Sequence, residues 1–274
     1  MPRALAALLG VLGLVATGVA GSAGLVAAHR GGAALWPENS LMAFRGAVAL
    51  GVDALEFDVH LTADGEAVVI HDATLERTTT GHGAVADTTL AQLRTLRLRG
   101  RDGEVTQESV PTLAEVLDTA APPLQVLPEI KTASGGRRYP GVEEKVLALL
   151  AARRFGARAT VQAFDERTLR RLRELDPAQR TMLLASPRRL EAAGVESVQA
   201  VRWASEVGAT DLGMDHRTID ARVVAAARAA HVRLSAWTVN VESDLRRMLD
   251  LGVDLIMSDH PDLALRLAGR ARKP

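Results

Sequence analysis

Two histidines, His29 and His71, bracket a pair of carboxylates spaced two apart, Glu56 and Asp58, in a stretch otherwise rich in apolar residues. Histidine is the side chain that gives and takes protons near neutral pH, and paired carboxylates hold hard cations, so the set points to metal-assisted acid/base chemistry. In an extended segment Glu56 and Asp58 share one face, while Leu55, Phe57 and Val59 pack the other. Two like charges buried side by side need a cation or an arginine between them. Glu129-Ile130-Lys131, further along, supplies a third carboxylate and an ammonium group. Three carboxylates with no thiol and no metal-spaced histidine pair favour Ca2+ or Mg2+ over Zn2+.

The elements that must position these groups alternate along the chain. Short apolar runs suited to strands fall at 25–29, 54–59, 68–71, 125–130, 160–164, 181–184, 211–214, 233–239 and 254–258. Helical patterns lie between most of them, with Ser40, Asp165 and Asp220 as N-caps. Nine runs are one more than a (β/α)8 barrel needs. Asp64-Gly65, between alternating apolar stretches, is a hairpin signal that returns 68–71 antiparallel on 54–59 and leaves eight parallel strands. The fold class is therefore α/β, a TIM barrel with a β-hairpin extension after its second strand, whose site sits at the C-terminal strand ends. With Asp64-Gly65 as a two-residue loop, the register carries Asp58 opposite His71, and His29 ends the neighbouring strand. Trp237 closes the seventh barrel strand, either as core filler or as an apolar wall for substrate. His60 is set aside as facing away from Asp58, and His82, His216, His231 and His260 as solvent-facing.

Composition bounds the rest. At 274 residues the chain fits one barrel domain, taken as 24–270. Its net charge of zero gives no global argument for nucleic acid, so any anion must be recognised locally. Lysine occurs only at Lys131, Lys145 and Lys273, which singles out Lys131, and the absence of cysteine excludes disulfides and thiolate chemistry. Arg3 precedes an uncharged stretch from Ala4 to Ala28, so 1–23 reads as a signal peptide and the protein as secreted or extracytoplasmic. An N-terminal membrane anchor, or a cytoplasmic protein with its start assigned too early, are the alternatives. No stable membrane insertion of the mature domain is expected.

With these residues in order, the chain resembles the glycerophosphodiester phosphodiesterase family. The resemblance rests on His29-Arg30-Gly31, Pro37-Glu38-Asn39-Ser40, Glu56-x-Asp58-Val59, Thr62-x-Asp64-Gly65, Val69-x-His71-Asp72 and Leu75-x-Arg77-Thr78-Thr79. It continues through Glu129-Ile130-Lys131, Gln162-Ala163-Phe164-Asp165, Trp237-Thr238-Val239-Asn240 and Ser258-Asp259-x-Pro261. It implies one divalent cation on Glu56, Asp58 and Glu129, His29 and His71 as the acid/base pair, and Arg30 and Lys131 on the phosphate. The implied reaction is hydrolysis of a glycerophosphodiester, a small-molecule substrate, to glycerol 3-phosphate and an alcohol. Alternatives on the same barrel are a lysophospholipase D or a phosphatidylinositol-type phospholipase C; of another class, a non-catalytic barrel that binds glycerophosphodiesters. Departures from the family pattern are small: Ser40 where Thr is commoner, Ala163 where Ser is commoner, and Pro128 inside a strand, where it needs an unpaired N–H position.

Overall fold

The computed structural model describes residues 24–270, so the expected signal peptide at 1–23 lies outside the described residues. All nine strand runs form: β1 (Leu25–Ala28), β2 (Ala54–Leu61), β3 (Ala67–Val69), β4 (Gln125–Ile130), β5 (Thr160–Ala163), β6 (Arg180–Ala185), β7 (Asp211–Asp215), β8 (Arg233–Trp237) and β9 (Leu255–Ser258). Their order is β1-β9-β8-β7-β6-β5-β4-β2-β3, and β1 also pairs with β2. Eight parallel strands thereby close into a barrel, and β3 lies outside the ring, antiparallel to β2.

Helices connect the strands: α1 (Leu41–Leu50), α2 (Leu90–Leu93), α3 (Leu113–Asp118), α4 (Val142–Ala152), α5 (Glu166–Leu175), α6 (Pro187–Ala193), α7 (Gln199–Glu206), α8 (Ala221–Ala229), α9 (Glu242–Leu251) and α10 (Pro261–Leu267). Ser40, Asp165 and Asp220 cap α1, α5 and α8 through the backbone N–H groups of Ala43, Arg167 and Val223. Each cap satisfies a donor that the first helical turn leaves without a partner.

Alternation along β2 sorts its side chains into two layers. Leu55, Phe57 and Val59 are fully buried under the helices, and Phe57 meets Phe44 of α1 edge-on with ring centroids 5.7 Å apart. Inside the ring, Ala27, Ala54, Leu127, Met182, Leu184, Leu255 and Met257 form a separate packed cluster, of which Leu184 and Met257 reach the cavity at the mouth. A third cluster, including Val68, Ile70, Leu75, Leu93 and Leu98, gives the excursion between β3 and α3 a core of its own. Pro128 sits in β4 opposite Phe57 of β2, where the ladder towards β5 is reduced to the bridges Val126↔Ala159 and Glu129↔Gln162. That sparse edge accommodates a residue without an N–H.

The hairpin forms, but one residue out of the expected register. Val59 pairs with Val69 and Leu61 with Ala67, so the position opposite Asp58 belongs to Ile70, whose N–H donates to the Asp58 carbonyl at 3.0 Å. The reason is the turn. Gly65 N–H donates to the Thr62 carbonyl and Thr62 N–H to the Glu66 carbonyl, with Gly65 at φ +76°, which makes a three-residue loop of Ala63-Asp64-Gly65. Asp64 is also drawn aside, accepting from the Thr62 hydroxyl and from the N–H of Leu90 at the start of α2. A one-residue shift turns side chains to the other face, so His71 reaches the mouth because the chain leaves the strand after Val69, not through pairing with Asp58.

Candidate active site

The mouth gathers the C-terminal strand ends. His29 and Arg30 follow β1, Glu56 and Asp58 lie on β2, His71 follows β3, Glu129 and Lys131 end β4, and Trp237 ends β8. One cavity is lined by His29, Arg30, Glu56, His71, Glu129 and Lys131, with Trp237 and Phe164 as a T-shaped aromatic pair on its wall. Asp58 is buried at its side, 3.3 Å from Lys131 Nζ and 3.5 Å from Arg30 Nε. Every residue singled out in the sequence for chemistry is thus brought to one place.

The turn after β1 explains how Arg30 serves two purposes. Arg30 adopts φ +50° and Gly31 φ +81°, and a Cβ at Gly31 would stand 2.7 Å from the Cβ of Ala43 in α1. Only glycine fits that left-handed, close approach. The turn aims the Arg30 N–H at Glu56 Oε2 (2.9 Å), while the guanidinium lies between Asp58 and Glu38.

Glu56, Asp58 and Glu129 each offer one carboxylate oxygen, and these lie within 4.8 Å of one another. All three residues are buried. The Gln162 amide donates to Glu56 Oε1 and the Asn39 amide to Asp58 Oδ2, both at 2.9 Å, and Lys131 Nζ is 2.7 Å from Glu129 Oε1. Burial, reinforced by Asp58 and Glu129, pushes the Glu56 carboxyl up to about 7, against the opposing pull of His29. Asp58 moves the other way: burial opposes its charge, but Lys131, His71 and Arg30 hold it well below the usual carboxylate range. A buried all-oxygen donor set whose members repel one another fits a hard divalent cation, which would relieve that repulsion.

This has a measurable consequence in the metal-free protein. A carboxyl with a folded-state pKa above its unfolded value costs nothing below about pH 4.5, where it is protonated in both states, and stability is lost as pH rises towards 7. The loss is on the order of 3 kcal/mol at most. Glu56→Gln, measured by thermal melts in chelator, is expected to be more stable than the parent at pH 8 and to lose that advantage near pH 4.5. An equal difference at both pH values would contradict the buried-charge account.

Each mouth histidine has its own carboxylate. His29 Nδ1–H donates to Asp259 at 2.6 Å and His71 Nδ1–H to Asp72 at 2.7 Å. Their surroundings differ: burial lowers the His29 pKa, but Glu56 and Asp259 outweigh it and raise it overall, whereas burial, with Lys131 and Arg30, lowers that of His71. Asp259 is itself held by Asn240, whose amide donates to Oδ2 at 2.6 Å and whose carbonyl accepts the Asp259 N–H at 2.9 Å.

His60 corrects the sequence reading. Residues 56, 58 and 60 share one face of β2, and His60 is buried on the mouth side, donating from Nε2 to the His71 carbonyl and accepting the Tyr139 hydroxyl at Nδ1. Burial brings its pKa down to about 4, so it is a neutral strut beneath His71. His82 and His231 are exposed as expected, whereas His216 is mostly enclosed against Arg247. Asp72, Asp259, Asn240, Gln162 and the Glu38–Arg77 pair were given no role from sequence. All of them lie inside the motifs quoted above, and their contacts depend on side-chain directions that spacing does not encode.

Residues 29–263 match the Glycerophosphoryl diester phosphodiesterase family. A glycerophosphodiester phosphodiesterase of Caldanaerobacter subterraneus subsp. tengcongensis is 35% identical over 244 residues, covering 89% of this chain and 97% of that protein. A solved structure from Agrobacterium tumefaciens superposes with TM-score 0.82 at 30% identity, covering 90% and 97% of the two chains. A phosphodiesterase of Oleispira antarctica, solved in complex with the product sn-glycerol-3-phosphate, superposes with TM-score 0.71 at 26% identity, covering 89% and 96%.

Proposed function

The chain belongs to the glycerophosphoryl diester phosphodiesterase family and is a phosphoric diester hydrolase, and on that premise we propose that it cleaves glycerophosphodiesters to glycerol 3-phosphate and an alcohol at the barrel mouth. The observation that carries this is the joining, in one cavity, of two carboxylate-backed histidines, two cationic side chains and a buried carboxylate triad. Arg30 and Lys131 bind the anionic phosphodiester and neutralise charge that develops on its oxygens. His29 and His71 present their Nε2 atoms, since each Nδ1 is committed to a carboxylate. One takes the proton of the attacking group, either water or the neighbouring glycerol hydroxyl, and the other gives a proton to the leaving alcohol; where the glycerol hydroxyl attacks, water then opens the cyclic phosphodiester to glycerol 3-phosphate. Glu56, Asp58 and Glu129 hold Ca2+ or Mg2+, which supplies Lewis-acid stabilisation of the phosphoryl oxygens when bound. Trp237, edge-on to Phe164, walls the side of the cavity open to the substrate's organic group.

Among the described residues no helix is long and apolar enough to cross a membrane. We take 24–270 as the catalytic domain and 1–23 as an export leader, supported by the uncharged run after Arg3. The substrate is tested by incubating the protein with glycerophosphocholine, glycerophosphoethanolamine and lysophosphatidylcholine and assaying glycerol 3-phosphate and free alcohol. The two water-soluble diesters are expected to yield glycerol 3-phosphate. Turnover of the lysolipid alone would replace this reading with a lysophospholipase D.

A further inference from the structure

We propose that Glu38 and Arg77 are positioning residues, which tie the phosphate-facing Arg30 to the carboxylate that orients His71. The inference rests on the phosphodiesterase reading above and deepens it. Glu38 Oε1 accepts from Arg30 Nη1 at 3.0 Å and from Arg77 Nη2 at 2.9 Å, and its Oε2 accepts from Arg77 Nη1 at 2.8 Å. The other edge of the same guanidinium grips Asp72, with Nε 2.6 Å from Oδ2 and Nη2 3.0 Å from Oδ1. Asp72 Oδ1 in turn accepts His71 Nδ1–H at 2.7 Å. Positive and negative groups therefore alternate without a break from Arg30 through Glu38, Arg77 and Asp72 to His71. The chain of contacts joins the segment after β1 to the segment after β3.

Two features separate this from ordinary surface pairing. A single exposed ion pair contributes little to stability, and the Arg77 side chain is 48% exposed, so its removal is not expected to unfold the barrel. What a planar guanidinium shared between two carboxylates provides is geometry, because two forked contacts fix both partners at once. His29 is held differently, with Asp259 clamped by the neutral amide of Asn240. The charged chain thus serves only one of the two histidines, and it links that histidine to a phosphate contact. Loosening Arg77 frees Asp72 and lets the His71 ring turn; loosening Glu38 also releases Arg30.

The test compares the full-length protein with Arg77→Met, Arg77→Lys, Glu38→Gln, Asp72→Asn and the Asp72→Asn/Arg77→Met double variant. It measures kcat and KM on glycerophosphocholine at saturating divalent cation, thermal melts, and the His71 Nδ1–H resonance by NMR. Arg77→Met is expected to lower kcat by about 10- to 100-fold with a much smaller change in KM. Glu38→Gln is expected to raise KM as well, Arg77→Met and Arg77→Lys to melt close to the parent, and Arg77→Lys to recover only part of kcat. The double variant should be no slower than Asp72→Asn, since the two act in series through one carboxylate. The hydrogen-bonded Nδ1–H signal of the parent should broaden or vanish in Arg77→Met. A kcat for Arg77→Met within about twofold of the parent, losses that add in the double variant, or an unchanged Nδ1–H signal would overturn the positioning role. Absence of turnover in the parent would overturn the phosphodiesterase reading instead, and the NMR signal still decides whether the chain orients His71.

Discussion

Replacing His71 by alanine is expected to lower kcat on glycerophosphocholine by about 10²- to 10⁴-fold, and replacing His29 to do the same, each with little change in melting temperature. Both rings are backed by a carboxylate at Nδ1, both line the cavity, and neither belongs to the packed apolar clusters. Losing one removes a proton donor or acceptor while leaving the three-carboxylate centre intact, so stabilisation by added Ca2+ or Mg2+ should persist in both variants. The double variant should be barely slower than either single one, because groups that move protons in one reaction act as a unit. Near-normal kcat in either single variant would remove that histidine from the mechanism. Loss of cation-induced stabilisation together with activity would show instead that the ring holds the metal centre in shape.

The carboxylates give the second large effect, and it separates from the first by its readout. Asp58→Asn and Glu129→Gln are expected to abolish the rise in melting temperature on adding Ca2+ or Mg2+, and to lower activity at least as much as the histidine variants. Asp58 carries the heavier consequence, since one buried side chain is shared by Lys131, Arg30 and the Asn39 amide. Removing its charge leaves Lys131 to Glu129 and Arg30 to Glu38, so Asp58→Asn should also destabilise the metal-free protein, by less than the roughly 3–5 kcal/mol of a fully orphaned buried charge. Among the described residues Lys131 is the one cation paired with Glu129, so the Glu129 variant should melt closer to the parent. Equal cation-induced stabilisation of parent and both variants would contradict the metal assignment.

Much of this architecture was legible in the sequence because it rests on periodicity. The nine strand runs, the exclusion of one from the ring, and the capping residues Ser40, Asp165 and Asp220 all follow from spacing and turn chemistry. The hairpin register did not, and the cause is local: Asp64 is recruited by Thr62 and by the N–H of Leu90, which lengthens the loop to three residues. Asp-Gly announces a turn without stating its length. The candidate site residues, apart from Arg30, whose phosphate role is implied by the family resemblance, are legible from residue type and strand-end position, which survive a one-residue slip wherever the chain leaves the strand before the residue concerned, as it does at His71. What spacing could not reveal is the support around them. Arg77 lies beyond the strands in an irregular segment, and its four contacts to Glu38 and Asp72 depend on loop paths set by a small core of Val68, Ile70, Leu75 and Leu98. His60 was misjudged for a simpler reason, since β2 runs on to Leu61 and keeps positions 56, 58 and 60 on one face.

Cation-dependent cleavage of the diester is measured most directly by phosphorus NMR of glycerophosphocholine incubated with the purified protein in EDTA, and again after adding back Mg2+ or Ca2+. The diester resonance is expected to persist in EDTA and to be replaced by that of glycerol 3-phosphate once one of the two cations is restored. A diester signal unchanged with either cation, or converted equally fast in EDTA, would contradict it.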